Sequence, residues 1–86
     1  MNPQEIKNKI DSISYYQNRH IKNNALNLCD EIIKSKLLTK YGKSVVEKIK
    51  NEITKIEDPW SRNSQSNFTD LCDIQKKINE LYSIFE

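Results

Sequence analysis

Ile21-Lys22-Asn23-Asn24-Ala25-Leu26-Asn27-Leu28-Cys29-Asp30-Glu31-Ile32-Ile33 is the stretch on which the fold turns. Ile21, Ala25, Leu28 and Ile32 recur at spacings of four and three, which places them on one stripe of a helix. A second stripe runs beside it through Leu26, Cys29, Ile33 and Leu37. Two adjacent stripes make a wide apolar face, so this segment is expected to be a central helix, about 20–41, packed against neighbours on two sides. It contains neither glycine nor proline, and it lacks the strict apolar–polar alternation of a half-buried strand.

Upstream, Asn2 is a helix cap, Pro3 suits the first helical position, and Glu5 stands three residues after the cap. Ile6, Ile10 and Ile13 supply the apolar stripe of a first helix over about 3–16. A helical period carried on from Ile6 would favour positions 20 and 24, whereas the second stripe begins at 21 and 25. That slip of one residue predicts a break or kink near 17–20.

Downstream, Gly42 reads as a left-handed cap closing helix two. Ser44-Val45-Val46-Glu47 reads as a capping box opening helix three. Val45 or Val46, then Ile49, Ile53 and Ile56, form its stripe, and Pro59 marks its stop. The polar run Ser61-Arg62-Asn63-Ser64-Gln65-Ser66-Asn67 is the most loop-like segment. Helix four is expected to start near Ser66 or Asn67, with Asp70 and Asp73 favourably placed for the helix dipole. Its face runs Phe68, Leu71, Cys72, Ile74, Ile78, Leu81, Tyr82 and Phe85, and Asp73 is within pairing reach of Lys76 or Lys77. One glycine and two prolines in 86 residues leave few breaks for a β-fold. The expected fold class is all-α: a small antiparallel helical bundle of three to four helices forming one domain over 1–86.

Function is less constrained. His20 is the one histidine, and neither Cys29 nor Cys72 sits in a CxxC pair; with three Cys and His residues in all, a four-ligand zinc site is not expected. A glycine-rich phosphate loop is excluded by a single glycine. Asp30-Glu31 and Glu57-Asp58 are adjacent in sequence, point in different directions around a helix, and read as solvated charge. No catalytic residue, metal or cofactor is expected, and the two cysteines read as small core residues. The polar start Met1-Asn2-Pro3-Gln4-Glu5 and the absence of a long apolar run predict a cytoplasmic protein with no membrane span. The abundance of Lys, Asn and Ile suits an AT-rich coding sequence of bacterial or phage origin.

Charge is uneven. Residues 1–56 carry 11 basic and 6 acidic side chains, and residues 57–86 carry 3 basic and 6 acidic. Such asymmetry steers a complementary partner. A catalytically empty bundle suits a stoichiometric protein-binding inhibitor of the immunity or antitoxin type, which neutralises a toxin by covering it. Trp60, Arg62, Tyr15 and Tyr16 are side chains of the types favoured at protein interfaces. Glu57, Asp58, Asp70 and Asp73 supply acidic contacts for a basic partner. The alternative is a small nucleic-acid-binding protein: Tyr15-Tyr16-Gln17-Asn18-Arg19-His20-Ile21-Lys22 interleaves aromatic and basic groups. Against it, a helix-turn-helix pivoting on Gly42 would need apolar residues at Lys48 and Asn51, and they stand at Ile49 and Ile53 instead. A net charge of +2 is also small for a nucleic-acid binder. The third reading is a homodimeric or larger bundle, in which a second copy covers the wide face of helix two.

Overall fold

The computed structural model of the protein describes residues 2–13, 19–60 and 68–85, with side chains from residue 69 in the last segment. It contains four helices, α1 (Pro3–Ile13), α2 (Ile21–Lys34), α3 (Lys40–Lys55) and α4 (Phe68–Ile84), and no strand among the described residues. The all-helical bundle expected from periodicity is the fold observed. The break expected near 17–20 is present in its described part: Arg19 and His20 form a turn, His20 is non-helical (φ −110°, ψ 22°), and α2 begins at Ile21. The expected last turn of helix one, 14–16, lies outside the described residues.

α1 starts as its sequence dictates. The Asn2 carboxamide oxygen accepts from the Glu5 amide at 2.8 Å, and its Nδ2 donates to Glu5 Oε1 at 3.2 Å. The first bond satisfies a backbone donor that the first turn leaves without a helical partner, and the second holds the two side chains together.

The middle of the chain departs from expectation. Helix two ends at Lys34, seven residues before its expected limit, because Ser35 is extended (φ −72°, ψ 155°). The Ser35 hydroxyl donates to the Ile32 carbonyl at 2.6 Å, closing the last turn. Gly42 is no left-handed cap, because it lies inside the first turn of α3. Nor does the Ser44–Glu47 box open that helix: Thr39 is the N-cap, extended (φ −67°, ψ 170°), with Oγ1 accepting from the Gly42 amide at 3.3 Å. Ser44 is already helical, and its hydroxyl donates back to the Lys40 carbonyl. Starting at Thr39 gains a full extra turn of backbone hydrogen bonds over starting at Ser44, and both residues are good caps, so the longer helix wins. Position 42 packs closely on Leu38. A Cβ there would stand 3.1 Å from Leu38 Cβ and 3.3 Å from Leu38 Cδ2. Thr39→Ala is therefore expected to cost about 1 kcal/mol of unfolding free energy, and Ser44→Ala much less, in paired urea titrations. Equal losses would contradict the observed start of α3.

Helix three also stops before Pro59. It ends at Lys55, with Ile56 extended (φ −79°, ψ 131°). Lys22, on the first turn of α2, donates its ammonium to the carbonyls of Ile56 (2.5 Å) and Thr54 (3.3 Å). A cation at the C-terminal end of α3 satisfies free carbonyls and opposes the negative end of its dipole.

Polar pairs record the topology. Lys9 meets Glu31 at 2.6 Å, Lys50 meets Asp30 at 2.5 Å, and Lys77 meets Glu52. Each contact joins antiparallel neighbours, so the chain runs up-down-up-down. Helices α2 and α4 touch across the middle, and α1 packs against both. Lys77 spends its charge on Glu52 and on Glu80, at 3.5 Å, and so bonds across helices as well as along its own. The core is apolar throughout: Ile6 and Ile10 from α1, Ile21, Ala25, Leu28, Cys29 and Ile32 from α2, Val46, Ile49 and Ile53 from α3, and Leu71, Ile74, Ile78 and Leu81 from α4. Each helix buries the i, i+3, i+4 positions that its stripe picks out. Leu37, the last residue of the second stripe, is the exception. It lies beyond the end of α2 and is exposed.

Candidate functional site

The up-down-up-down course sorts the expected site residues by height. α1 and α3 end, and α2 and α4 begin, at one end of the bundle. Glu57, Asp58 and Trp60 follow α3 there, and Asp70 and Asp73 lie in the opening turns of α4. Tyr15, Tyr16 and Arg62 are outside the described residues.

Trp60 is the anchor of this end. The Asp58 carboxylate accepts from the Trp60 backbone amide at 3.0 Å, an Asx turn built around the buried Pro59. That turn aims the indole inward, where it packs on the edge of the core while remaining half-exposed. The Arg19 guanidinium lies over the ring, 5.4 Å from its centroid. Guanidinium over indole is a favourable cation–π pairing, and it ties the approach to α2 to the exit from α3. The indole Nε1 is buried and has no hydrogen-bond partner among the described residues. Leaving such a donor unsatisfied costs about 1–3 kcal/mol. At the same end of the bundle, Glu57 is exposed and Asp58, Asp70 and Asp73 are half-exposed.

The other expected groups are absorbed into the bundle. Lys22 serves the carbonyls at the end of α3, and Asp30 and Glu31 are paired with Lys50 and Lys9. Glu52, held by Lys77, has its carboxyl drawn below the ordinary carboxylate range, and the hydrogen bond to Asp30 raises Lys50. His20 is exposed at the start of α2 and makes no side-chain cap there. Both cysteines are free thiols. Burial pushes the Cys29 thiol up to about 11, and the neighbouring Asp30 charge adds to that rise. A thiol so shifted is a poor nucleophile at neutral pH, so Cys29 acts as a packing residue. Among the described residues, no group of three His, Cys, Asp or Glu side chains could hold a metal ion, and no helix is long and apolar enough to cross a membrane.

One feature at the opposite end has no counterpart in the sequence reading. Leu37 and Tyr41 are the exposed large hydrophobic residues among those described, at 36% and 80% exposure. They sit in and just after the α2–α3 turn, among Lys34, Lys36, Lys40 and Lys43. Ten residues from 34 to 43 hold four lysines and no carboxylate, a pattern readable in the sequence but masked there by the apparent continuation of helix two. No family model, curated protein or solved structure matches this chain.

Proposed function

We propose that this chain acts without catalysis, by stoichiometric binding of another protein through the bundle end that carries Trp60. The reading is an inhibitor of the immunity or antitoxin type, working in the bacterial cytoplasm. The observation that carries it is the Arg19–Trp60 stack, an aromatic–guanidinium pair on the edge of the core with Glu57, Asp58, Asp70 and Asp73 on the same end. Tryptophan and arginine are the side chains that most often dominate binding energy at protein interfaces. Asp58 and Asp73 place carboxylates at the Trp60 end of the bundle, and they complement basic groups on a partner. The nucleic-acid reading has less to work with, because Arg19 lies over Trp60 and Lys22 is bonded to backbone carbonyls.

A tagged pull-down from the source cells, run with and without nuclease, tests this. One protein retained in stoichiometric amount through nuclease and moderate salt is expected, and Trp60→Ala should weaken its capture by about tenfold or more. Because Trp60 also packs on the core, Asp73→Asn serves as the companion variant: removal of a half-exposed carboxylate, which should weaken the same complex while shifting the thermal midpoint by little. Recovery of nucleic acid, with bound proteins lost on nuclease treatment, would overturn the reading.

A further inference from the structure

We propose that the turn joining α2 to α3 is a peripheral docking surface for an anionic phospholipid bilayer. The turn forms one tip of the bundle, opposite the Trp60 end, and three observations bear on what it meets.

The first is charge. Lys34, Lys36 and Lys40 are exposed and Lys43 is half-exposed, with no carboxylate anywhere between residues 34 and 43. Glu31 borders the shallow depression beside Leu37, but its charge is answered by Lys9 at 2.6 Å. Lys40 and Lys43 stand in the opening turns of α3, where the dipole is positive and cations are disfavoured. This arrangement works against the stability of α3 and is relieved by an anionic surface.

The second is the apolar pair. Leu37 and Tyr41 are held out at the tip within the lysine cluster. A bilayer interface accommodates both: the Leu37 side chain enters the acyl boundary, Tyr41 sits at headgroup level, and the lysines reach the lipid phosphates. Tyr82, Ile84 and Phe85, half-buried at the end of α4, lie at the same end of the bundle.

The third is size. Two exposed apolar side chains fall far short of the roughly 800 Å² per partner that a stable protein interface buries, which argues against a second copy of the chain. A single-stranded nucleic acid would use the lysines, but it would find one stacking ring and no use for Leu37. Shallow insertion into a bilayer needs no matched partner surface. Docking this tip leaves the Trp60 end facing away from the lipid, so the inference stands apart from the protein-binding reading.

Flotation of the full chain with lipid vesicles tests it. Binding to phosphatidylcholine vesicles containing phosphatidylglycerol is expected, with none to phosphatidylcholine alone. Each lysine near an anionic surface contributes about fivefold in affinity, so the double variant Lys36→Ala, Lys40→Ala should bind about 25-fold more weakly. Leu37→Ser with Tyr41→Ser should weaken binding at unchanged charge, and Trp60→Ala should not. All these positions in the turn are exposed, and circular dichroism melts of each variant are to check that it stays folded. Failure to float with the anionic vesicles overturns the proposal. So does indifference to Leu37→Ser and Tyr41→Ser, or lysine-dependent binding of a single-stranded oligonucleotide without flotation, which assigns the tip to nucleic acid. A dimer in sedimentation that Leu37→Ser abolishes assigns it to a second copy and equally overturns it.

Discussion

Ile53→Ala is expected to remove about 2–5 kcal/mol of unfolding free energy, the usual cost of truncating a fully buried isoleucine to alanine. Ile53 is 0% exposed and lies on α3, which packs against both α2 and α4. The lost side chain thus leaves a cavity lined by more than one helix, and the bundle can collapse into it only in part. A domain of this length has a total stability of roughly 4–13 kcal/mol, so the variant should be close to half unfolded at moderate urea. Urea titration followed by far-ultraviolet circular dichroism measures it: the midpoint should fall with an unchanged slope. Leu37→Ala is the matched control. Leu37 extends an apolar stripe as regular as that of Ile53, yet it is exposed, so its truncation should change stability by less than about 0.5 kcal/mol. Equal losses at the two positions would contradict the break between α2 and α3.

The second large effect is alkaline. Burial raises the Cys29 thiol from the ordinary 9.0 to about 11 in the folded chain. Below 9 the thiol is protonated in both folded and unfolded states, and the stability linked to it is fully present. Between 9 and 11 the unfolded chain releases the proton while the folded chain retains it. The unfolded state gains, and stability falls by up to about 3 kcal/mol across that window. Lysines and tyrosines titrate in the same range, so the measurement is a difference: unfolding free energy against pH for the wild type and for Cys29→Ala. The wild type's advantage should shrink as pH rises from 9 to 11. Parallel curves would show that the thiol is not held back by burial. Cys72, half-buried on α4, is expected to react with a thiol reagent before Cys29 does.

Periodicity carried most of this fold because it reports on burial. Ile6 and Ile10, Ile21 to Ile32, Val46 to Ile53, and Leu71 to Leu81 are each spaced so that one side of a helix is apolar, and every one of those faces is buried. The start of α1 was equally legible, because Asn2 and Glu5 satisfy one another's donors within four residues and need nothing from the rest of the chain. The α2–α3 junction was not. A stripe continuing to Leu37, a glycine at 42 and a plausible box at Ser44–Glu47 agreed on the wrong boundary. Local signals say which residues can cap a helix, but not which of two competing caps leaves the better-packed pair of helices. Thr39 prevails because α3 then starts a turn earlier and Leu38 lies against the bare Cα of Gly42.

The candidate site divides the same way. That Trp60, Glu57 and Asp58 belong together follows from adjacency. That Arg19, some forty positions earlier, lies over the Trp60 ring, and that Lys22 bonds the last carbonyls of α3, are consequences of antiparallel packing. The exposed Leu37–Tyr41 tip, the surface with the clearest unmet chemistry, likewise became visible only once α2 was seen to stop at Lys34. Helical class, the membership of the core and the first cap are properties of spacing and near-neighbour hydrogen bonding, which a chain carries with it however it folds. Helix boundaries at the α2–α3 junction, the partners of Arg19 and Lys22, and the side chains left facing solvent depend on which helices meet. That is set by the joint burial of four apolar faces, a quantity that no single segment contains.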